Sequence, residues 1–193
     1  MDQGGWTRAQ NAAWRDLSDS VITSWSGLDV DVSWTGAGTY LDNTSPFLQL
    51  SSLRIEREGA GALDFGTFQI DAMFGLSVAP SDGQPLHGYE GWRESDLRHL
   101  PTGRVERLEM HLDTRDWSEG GLTEVVLTIG NREVLIAAAE IVGSADDLIS
   151  CWGNEELMLF SEARLVDAVP WADTREFSSI EVNRDSADVE LSR

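Results

Sequence analysis

Residues 125–138 read VVLTIGNREVLIAA, two apolar runs that flank the pair Gly130-Asn131. In each run every second residue is apolar: Val125, Leu127 and Ile129, then Val134, Ile136 and Ala138. Such alternation is the pattern of a half-buried strand, and a Gly-Asn pair between two such runs is typical of a tight hairpin turn. The stretch therefore predicts two antiparallel strands joined by a turn.

Similar alternation recurs on both sides of this hairpin. It predicts strands at residues 28–34, 47–55, 67–78, 105–113, 157–160 and, at a sheet edge, 177–182. Between Leu50 and Leu53 the apolar phase slips by one residue, which predicts a bulge near Ser51-Ser52. The third of these segments is read as one long strand, because its apolar side chains at even positions, from Phe68 to Val78, share one face.

The first residues predict a helix instead. Thr7 and Gln10 match a capping box, in which the two side chains bond to free backbone N–H groups of the first turn. Four apolar residues follow at helical spacing: Trp14, Leu17, Val21 and Trp25. Gly27 is a suitable end for this helix, although the β-branched run at residues 21–23 is more typical of a strand.

These patterns predict a mainly β (α+β) protein, an antiparallel curved sheet, roll or sandwich of about nine strands with one N-terminal helix. We expect a single β-rich domain over residues 1–184, or two lobes, 1–79 and 105–184, joined by the long loop 80–104. Residues 185–193 are polar, and we expect a flexible tail there.

The chain is strongly acidic. Its 193 residues include 34 Asp and Glu against 14 basic residues, all of them Arg, for a formal net charge of −20. The net charge is −6 over residues 1–79, −1 over 80–104 and −13 over 105–193. Three interpretations compete: solubility combined with GC-rich coding that disfavours Lys, adaptation to a high-salt cytoplasm, or a surface that meets a cationic partner. Direct binding of nucleic acid is disfavoured, because the sequence has no basic cluster.

Several other classes of protein are disfavoured by what the sequence lacks. Cys151 is the single cysteine, which excludes an internal disulfide and a Cys-based zinc site. The first residues lack the basic and apolar regions of a signal peptide, and the longest aliphatic run, residues 134–139, is far too short to cross a bilayer. No dinucleotide fingerprint or nucleophile elbow is present. We therefore expect a cytoplasmic protein with no membrane segment, cofactor or resident metal.

The loop at residues 80–104 is rich in Gly and Pro, which disfavours regular structure apart from a helical turn at residues 94–99. A connection of this length is usually functional or disordered. Tyr89, Trp92 and Arg93 are of the residue types that anchor protein interfaces. The competing interpretation is a surface excursion whose Trp92 tucks into the core.

The three histidines are His87, His99 and His111. On its predicted strand, His111 shares a face with Glu109 and Asp113. A His-x-Asp pair can ligate a metal, or act as a base with its orienting carboxylate. The simpler interpretation, which we favour, is a solvated strand face with cross-strand charge pairs.

The sequence favours a binding protein over an enzyme. Our hypothesis is an acidic cytosolic protein-binding module, an inhibitor, immunity protein or antitoxin that neutralises a basic toxin or nucleic-acid-directed enzyme by occluding its cationic site. The predicted contacts are an acidic field from Asp146, Asp147, Glu155 and Glu156 and an anchor from Tyr89, Trp92 and Arg93. Two alternatives stay open: a small-molecule-binding or hydrolytic β-barrel that uses His111, Asp113 and the loop 80–104, and a structural subunit that forms a homo-oligomer.

Overall fold

The computed structural model describes residues 3–29, 47–70, 73–86, 93–113, 122–144, 147–172 and 175–182. Within them the chain forms one α-helix, α1 (Gln3–Leu17), and one 3₁₀ helix (Ala163–Ala168). The strands are β1 (Val21–Asp29), β2 (Leu48–Arg57), β3 (Gly61–Ile70), β4 (Met73–Pro80), β5 (Arg93–Asp96), β6 (Gly103–Asp113), β7 (Leu122–Ile129), β8 (Arg132–Ser144), β9 (Asp147–Phe160) and β10 (Phe177–Val182). The predicted mainly β fold with one N-terminal helix is confirmed.

The strands form one antiparallel sheet that closes on itself. Their order is β4-β3-β2-β9-β8-β7-β6-β1-β5, and β2 also pairs with β1. The six strands β1, β2, β9, β8, β7 and β6 therefore make a barrel. β3 and β4 extend it from β2, β5 pairs with β1, and β10 pairs with β6. Closure satisfies backbone groups that an open sheet would leave at its edges.

The hairpin predicted at residues 125–138 is confirmed as β7 and β8. These strands pair from Ile129 and Arg132 outward, across a turn of two residues. Gly130 has a φ of 61°, which places it in the left-handed region that a residue without a Cβ adopts at no steric cost.

The predicted bulge in β2 is confirmed as well. Leu28 pairs with Ser52 and Asp29 pairs with Leu50, so Ser51 is the extra residue. Leu50 and Leu53 are three positions apart, and in a regular strand they would point to opposite faces. The bulge places both of them in the core.

The predicted N-terminal helix is wrong at both ends. α1 begins at Gln3, before Thr7, and stops at Leu17, and β1 begins at Val21. The β-branched residues 21–23 therefore follow their strand preference rather than the helical spacing of the apolar residues. Trp25 still reaches the core, but from β1, and its indole N–H donates to the Pro101 carbonyl oxygen at 2.8 Å.

The long strand predicted at residues 67–78 is also wrong. The segment belongs to two strands, β3 and β4, which fold into a hairpin in which Ile70 pairs with Met73. Phe65 pairs with Val78, and both are buried. The side chains that face the core therefore belong to odd-numbered residues in β3 and to even-numbered residues in β4. An unbroken run of apolar residues at even positions concealed this turn.

The helical turn predicted at residues 94–99 is a strand followed by a turn. β5 (Arg93–Asp96) pairs with β1, and Leu97 and Leu100 are buried in the core. The strand predicted at residues 28–34 is described only as far as Asp29, and the tail at 185–193 lies outside the described residues.

Buried hydrophobic side chains form two clusters on opposite sides of the barrel wall. The interior cluster draws on α1 and on the inward faces of the strands, with Trp14 and Phe65 in edge-to-face contact at 5.5 Å between ring centroids. The outer cluster comprises Phe47, Leu135, Ala137, Ala139, Met158, Phe160, Val166 and Val169. β8 is thus buried on both faces, which explains its continuous aliphatic sequence at residues 134–139.

The outer cluster is covered by the segment between β9 and β10. We call residues 161–172 and 175–176 the strap. Val166 and Val169 of the strap are buried against β8 and β9. The Trp171 indole N–H donates to the Val166 carbonyl oxygen at 3.0 Å, which folds the strap back on its own 3₁₀ helix.

Candidate functional site

The seven residues predicted to contact a partner are described to different extents. Tyr89, Trp92 and Asp146 lie outside the described residues. Arg93 lies on β5, and Asp147 and Glu155 lie on β9. For these three residues the structure describes the backbone and not the side chain. Glu156 is the remaining one. It is half-buried, and its carboxylate accepts a hydrogen bond from the Gln49 side-chain amide.

The histidine singled out in the sequence lies in a buried charged cluster on the outside of the barrel. His111 on β6 stands directly opposite Glu124 on β7. Its Nδ1 lies 2.9 Å from Oε2 of Glu124, and its Nε2 lies 3.3 Å from Oε1 of Glu109. The carboxylate partner at Nδ1 is therefore Glu124. The side chain of Asp113, the partner predicted from the sequence, is not described.

The strap supplies the second partner of Glu124. Arg175 donates from Nε to Oε1 and from Nη2 to Oε2 of this carboxylate, each at 2.7 Å. Such a two-point contact is the strongest geometry available to an Arg–carboxylate pair. The Glu124 side chain has no exposed surface, and that of Arg175 is 11% exposed. A buried charge pair therefore joins the strap to the barrel wall.

The protonation state of Glu124 follows from these contacts. Burial by itself raises the pKa of this carboxyl group. Hydrogen bonds from His111 and Arg175, together with their charges, outweigh burial and hold the pKa below its ordinary value. Glu124 is thus ionised at neutral pH, and Nδ1 of His111 carries the proton of their shared hydrogen bond.

Aromatic rings enclose the cluster from the solvent side. Phe177 stacks on the His111 ring with 4.1 Å between centroids and an interplanar angle of 3°. The Arg175 guanidinium lies 5.5 Å from the ring centroid of Trp171 and 5.6 Å from that of Phe177, within cation–π range. Stacking of this kind fixes the orientation of the His111 ring and of the Arg175 guanidinium.

The arrangement satisfies its own polar groups. Both oxygens of Glu124 accept from Arg175, and one accepts from His111 as well. On the far side of the imidazole, Glu109 is also held by Arg107 at 2.6 Å. Among the described residues, no group of three or more His, Cys, Asp or Glu side chains could hold a metal ion. The chemistry best suited to this geometry is a fixed charge network that orients elements.

Sequence reasoning identified His111 and Glu109 but missed Glu124 and Arg175. Glu124 and Thr128 are four positions apart on β7, so both point away from the barrel interior. In the sequence Glu124 therefore resembles an ordinary surface residue. Its burial comes from the strap, which lies more than thirty residues further along the chain. No local pattern encodes that contact.

Most arginines with a described side chain form contacts within the molecule. Five of them pair with carboxylates outside the buried cluster: Arg54 with Asp64, Arg98 with Asp96, Arg104 with Asp19, Arg107 with Glu109 and Glu181, and Arg164 with Glu162. Arg57 and Arg132 donate instead to backbone carbonyl oxygens. Exposed acidic residues include Asp16, Glu56, Glu58, Asp82, Glu106, Glu133 and Glu176. Arg98, Arg104, Arg107 and Arg164 are themselves exposed, each beside a carboxylate, and the exposed acidic residues outnumber them.

Comparison of the chain with protein-family models, with curated proteins and with solved structures found no match in any of the three. None of the described helices combines the length and the apolar character that crossing a membrane requires.

Proposed function

We propose that this protein binds a basic protein partner, and that it does so as an inhibitor or immunity-type protein that covers the cationic site of a toxin or nucleic-acid-directed enzyme. The observation that carries the proposal is the imbalance of available charge. The exposed arginines among the described side chains, Arg98, Arg104, Arg107 and Arg164, each pair with a carboxylate, whereas further carboxylates on the strands, turns and helix end are also exposed.

The physical argument is electrostatic. A net charge of −20 generates a long-range negative potential that raises the rate of encounter with a cationic protein. Carboxylates on a closed barrel are held on a stiff framework, so they can occupy positions that substrate phosphates would take without a large loss of conformational entropy on binding.

The contacts of His111 give less support to a hydrolytic or small-molecule function. A general base needs a free nitrogen directed at a substrate. In this cluster Nδ1 bonds to Glu124 and Nε2 faces Glu109, while Phe177 covers one face of the ring. The cluster therefore supports a role in holding the structure together.

A binding and inhibition assay tests the proposal. The purified protein is titrated into a panel of cationic ribonuclease and deoxyribonuclease domains, and nucleic-acid cleavage and association rate are measured between about 0.05 and 0.5 M NaCl. We expect saturable inhibition of at least one domain, with an association rate that falls by about tenfold or more as salt screens the field. Association with none of the panel, or a rate that does not change with salt, would contradict electrostatic capture.

Two matched variants locate the contact surface. Glu56→Gln/Glu58→Gln neutralises exposed carboxylates at the end of β2, and Glu106→Gln/Glu133→Gln neutralises exposed carboxylates on β6 and β8. Both remove two charges, so the field at long range changes equally. A specific site predicts that one variant speeds dissociation far more than the other, whereas equal effects indicate a nonspecific ionic atmosphere.

A further inference from the structure

We propose that the strap is a detachable segment that opens while the barrel stays folded, and that the buried contact between Arg175 and Glu124, backed by His111, is the latch that keeps it closed. The inference concerns a conformational device and is independent of the partner proposed above.

The strap and the barrel have separate hydrophobic cores. The buried strap residues Val166 and Val169 belong to the outer cluster, and none of the described residues of the interior cluster comes from the strap. Release of the strap therefore uncovers the outer faces of β8 and β9 and leaves the packing inside the barrel unchanged. Local opening of this kind is favoured where a segment buries few apolar side chains.

The strap also forms hydrogen bonds among its own residues. The Leu165 N–H donates to the Glu162 carbonyl oxygen at 2.9 Å, and the Val169 N–H donates to the Val166 carbonyl oxygen at 3.3 Å. With the Trp171 indole bond to Val166, these contacts join strap residues to one another, so none of them holds the strap to the barrel. The barrel pairings from β6 to β9 are likewise independent of it.

The two hydrogen-bond partners of Glu124 come from different parts of the molecule. Arg175 comes from the strap, but His111 comes from β6 of the barrel. When Arg175 withdraws, the carboxylate keeps His111 of the barrel wall as a hydrogen-bond donor and gains access to water. An unpaired buried charge is costly, and His111 together with water lowers that cost in the open state.

Aromatic rings contact Arg175 of the latch in addition to the carboxylate of Glu124. Arg175 is held between the carboxylate of Glu124 and the rings of Trp171 and Phe177. Phe177 is held on the barrel by the pairing of β10 with β6 and by its stacking on His111, so release of Arg175 separates the guanidinium and Trp171 of the strap from a surface that stays in place.

Hydrogen exchange with limited proteolysis tests the proposal on the full-length protein. The variants are Glu124→Gln, which removes the charge and keeps the size, and Arg175→Gln. Asp64→Asn is the matched control, because Arg54 and Asp64 form a similar two-point pair, at 2.6 and 2.8 Å, whose partners both lie in the sheet and outside the strap, on β2 and β3. Trypsin is a suitable probe, since the chain has no Lys and Arg164 in the strap is exposed.

We expect amides of residues 162–169 and 171 to exchange at least tenfold faster in Glu124→Gln and in Arg175→Gln, with faster cleavage after Arg164, and to remain less protected than those of β7 and β8. Asp64→Asn should leave the rate of strap exchange unchanged, because the Arg54–Asp64 pair stays intact when the strap opens. The proposal is overturned if the latch variants leave strap exchange and cleavage unchanged, or if strap and barrel amides share one free energy of opening, because the strap would then open only with the whole fold.

If a latch variant does not fold, the wild-type protein can be tested instead. Its native-state hydrogen exchange is measured at low concentrations of denaturant. Strap amides should exchange through an opening with a smaller denaturant dependence than those of β7 and β8. Strap amides that exchange only with the global unfolding of the barrel would contradict a detachable strap.

Discussion

At the scale of single residues, Glu124 is the most constrained charge among the described side chains. Its carboxylate lies in a setting with no solvent exposure and is compensated by Arg175 at both oxygens and by His111 at one. A paired buried charge costs desolvation energy, so its net contribution to stability is modest, but loss of one partner leaves an uncompensated charge. The contact therefore specifies which surface the strap covers.

The pKa of Glu124 gives a prediction about pH. Because its pKa in the folded protein is below the unfolded value, the stabilisation is present above the unfolded pKa and is lost as pH falls through the folded pKa. Glu124→Gln should lower the unfolding free energy by about 3 kcal/mol near neutral pH. The other charged or titratable groups near Glu124 are Arg175 and Asp167 in the strap and His111 and Glu109 on β6.

Urea unfolding of the two proteins across the acidic range provides the measurement. The difference between wild type and Glu124→Gln should shrink as pH falls through the pKa of Glu124 in the folded protein, which lies below the ordinary value of a glutamate. A difference that stays constant down to the acid limit would show that the charge of Glu124 is not what matters. Asp64→Asn, whose target is 28% exposed, is a suitable comparison and should cost less.

At the scale of elements, turns and bulges set the register of the barrel. The two-residue turn at Gly130 aligns Ile129 with Arg132, and the extra residue at Ser51 restores the core phase of β2. Each fixes which side chains of a strand face the interior, because a shift of one residue would move every side chain to the other face.

Gly130→Ala tests the turn. No atom lies within 4 Å of a Cβ built at this position, so the cost comes from the φ of 61° alone. We expect a loss of about 1 kcal/mol in unfolding free energy, measured by urea denaturation, and a smaller loss for Gly130→Asn, which tolerates this conformation better.

The matched substitution is Gly66→Ala in β3. Its Cβ would meet only the Ser77 hydroxyl oxygen, at 3.7 Å, an ordinary contact distance, and its φ is not in the left-handed region. It should be neutral or stabilising. If Gly66→Ala and Gly130→Ala cost the same, the turn conformation would not explain the effect at Gly130.

At the scale of the whole molecule, charge acts on stability as well as on binding. A net charge of −20 on a barrel of this size opposes compaction through self-repulsion. The same repulsion disfavours association of two copies at low salt. Internal pairs such as Arg104 with Asp19, at 2.9 Å, offset only part of it, because surface pairs contribute little.

We therefore expect salt to stabilise the protein. Raising NaCl from about 0.05 to 0.5 M shortens the screening length several-fold, and the unfolding free energy should rise by about 1 kcal/mol, equivalent to about 2–4 °C in Tm. Differential scanning calorimetry measures the shift, and an uncharged osmolyte at the same osmolality separates screening from solvent exclusion. A Tm that falls with NaCl would show that attractive surface pairs dominate the electrostatics.

Local sequence determined the elements whose signals are local. The β7–β8 hairpin, the bulge at Ser51, the strands β6 and β10 and the presence of an N-terminal helix all follow from alternation, turn residues or helical spacing within a few positions. The point where α1 gives way to β1 was missed. There two local preferences disagreed, and pairing of β1 with β2 decided between them.

Only the tertiary structure decided barrel closure and the buried cluster. Closure depends on pairing of β1 with β2 and of β2 with β9, whose residues lie far apart in the chain. Glu124 has the sequence signature of a solvated strand position, and it is buried because the strap crosses it and brings Arg175 to its carboxylate. The physical reason is that alternation records which face a side chain occupies, whereas burial of an outward face depends on a distant segment that covers it.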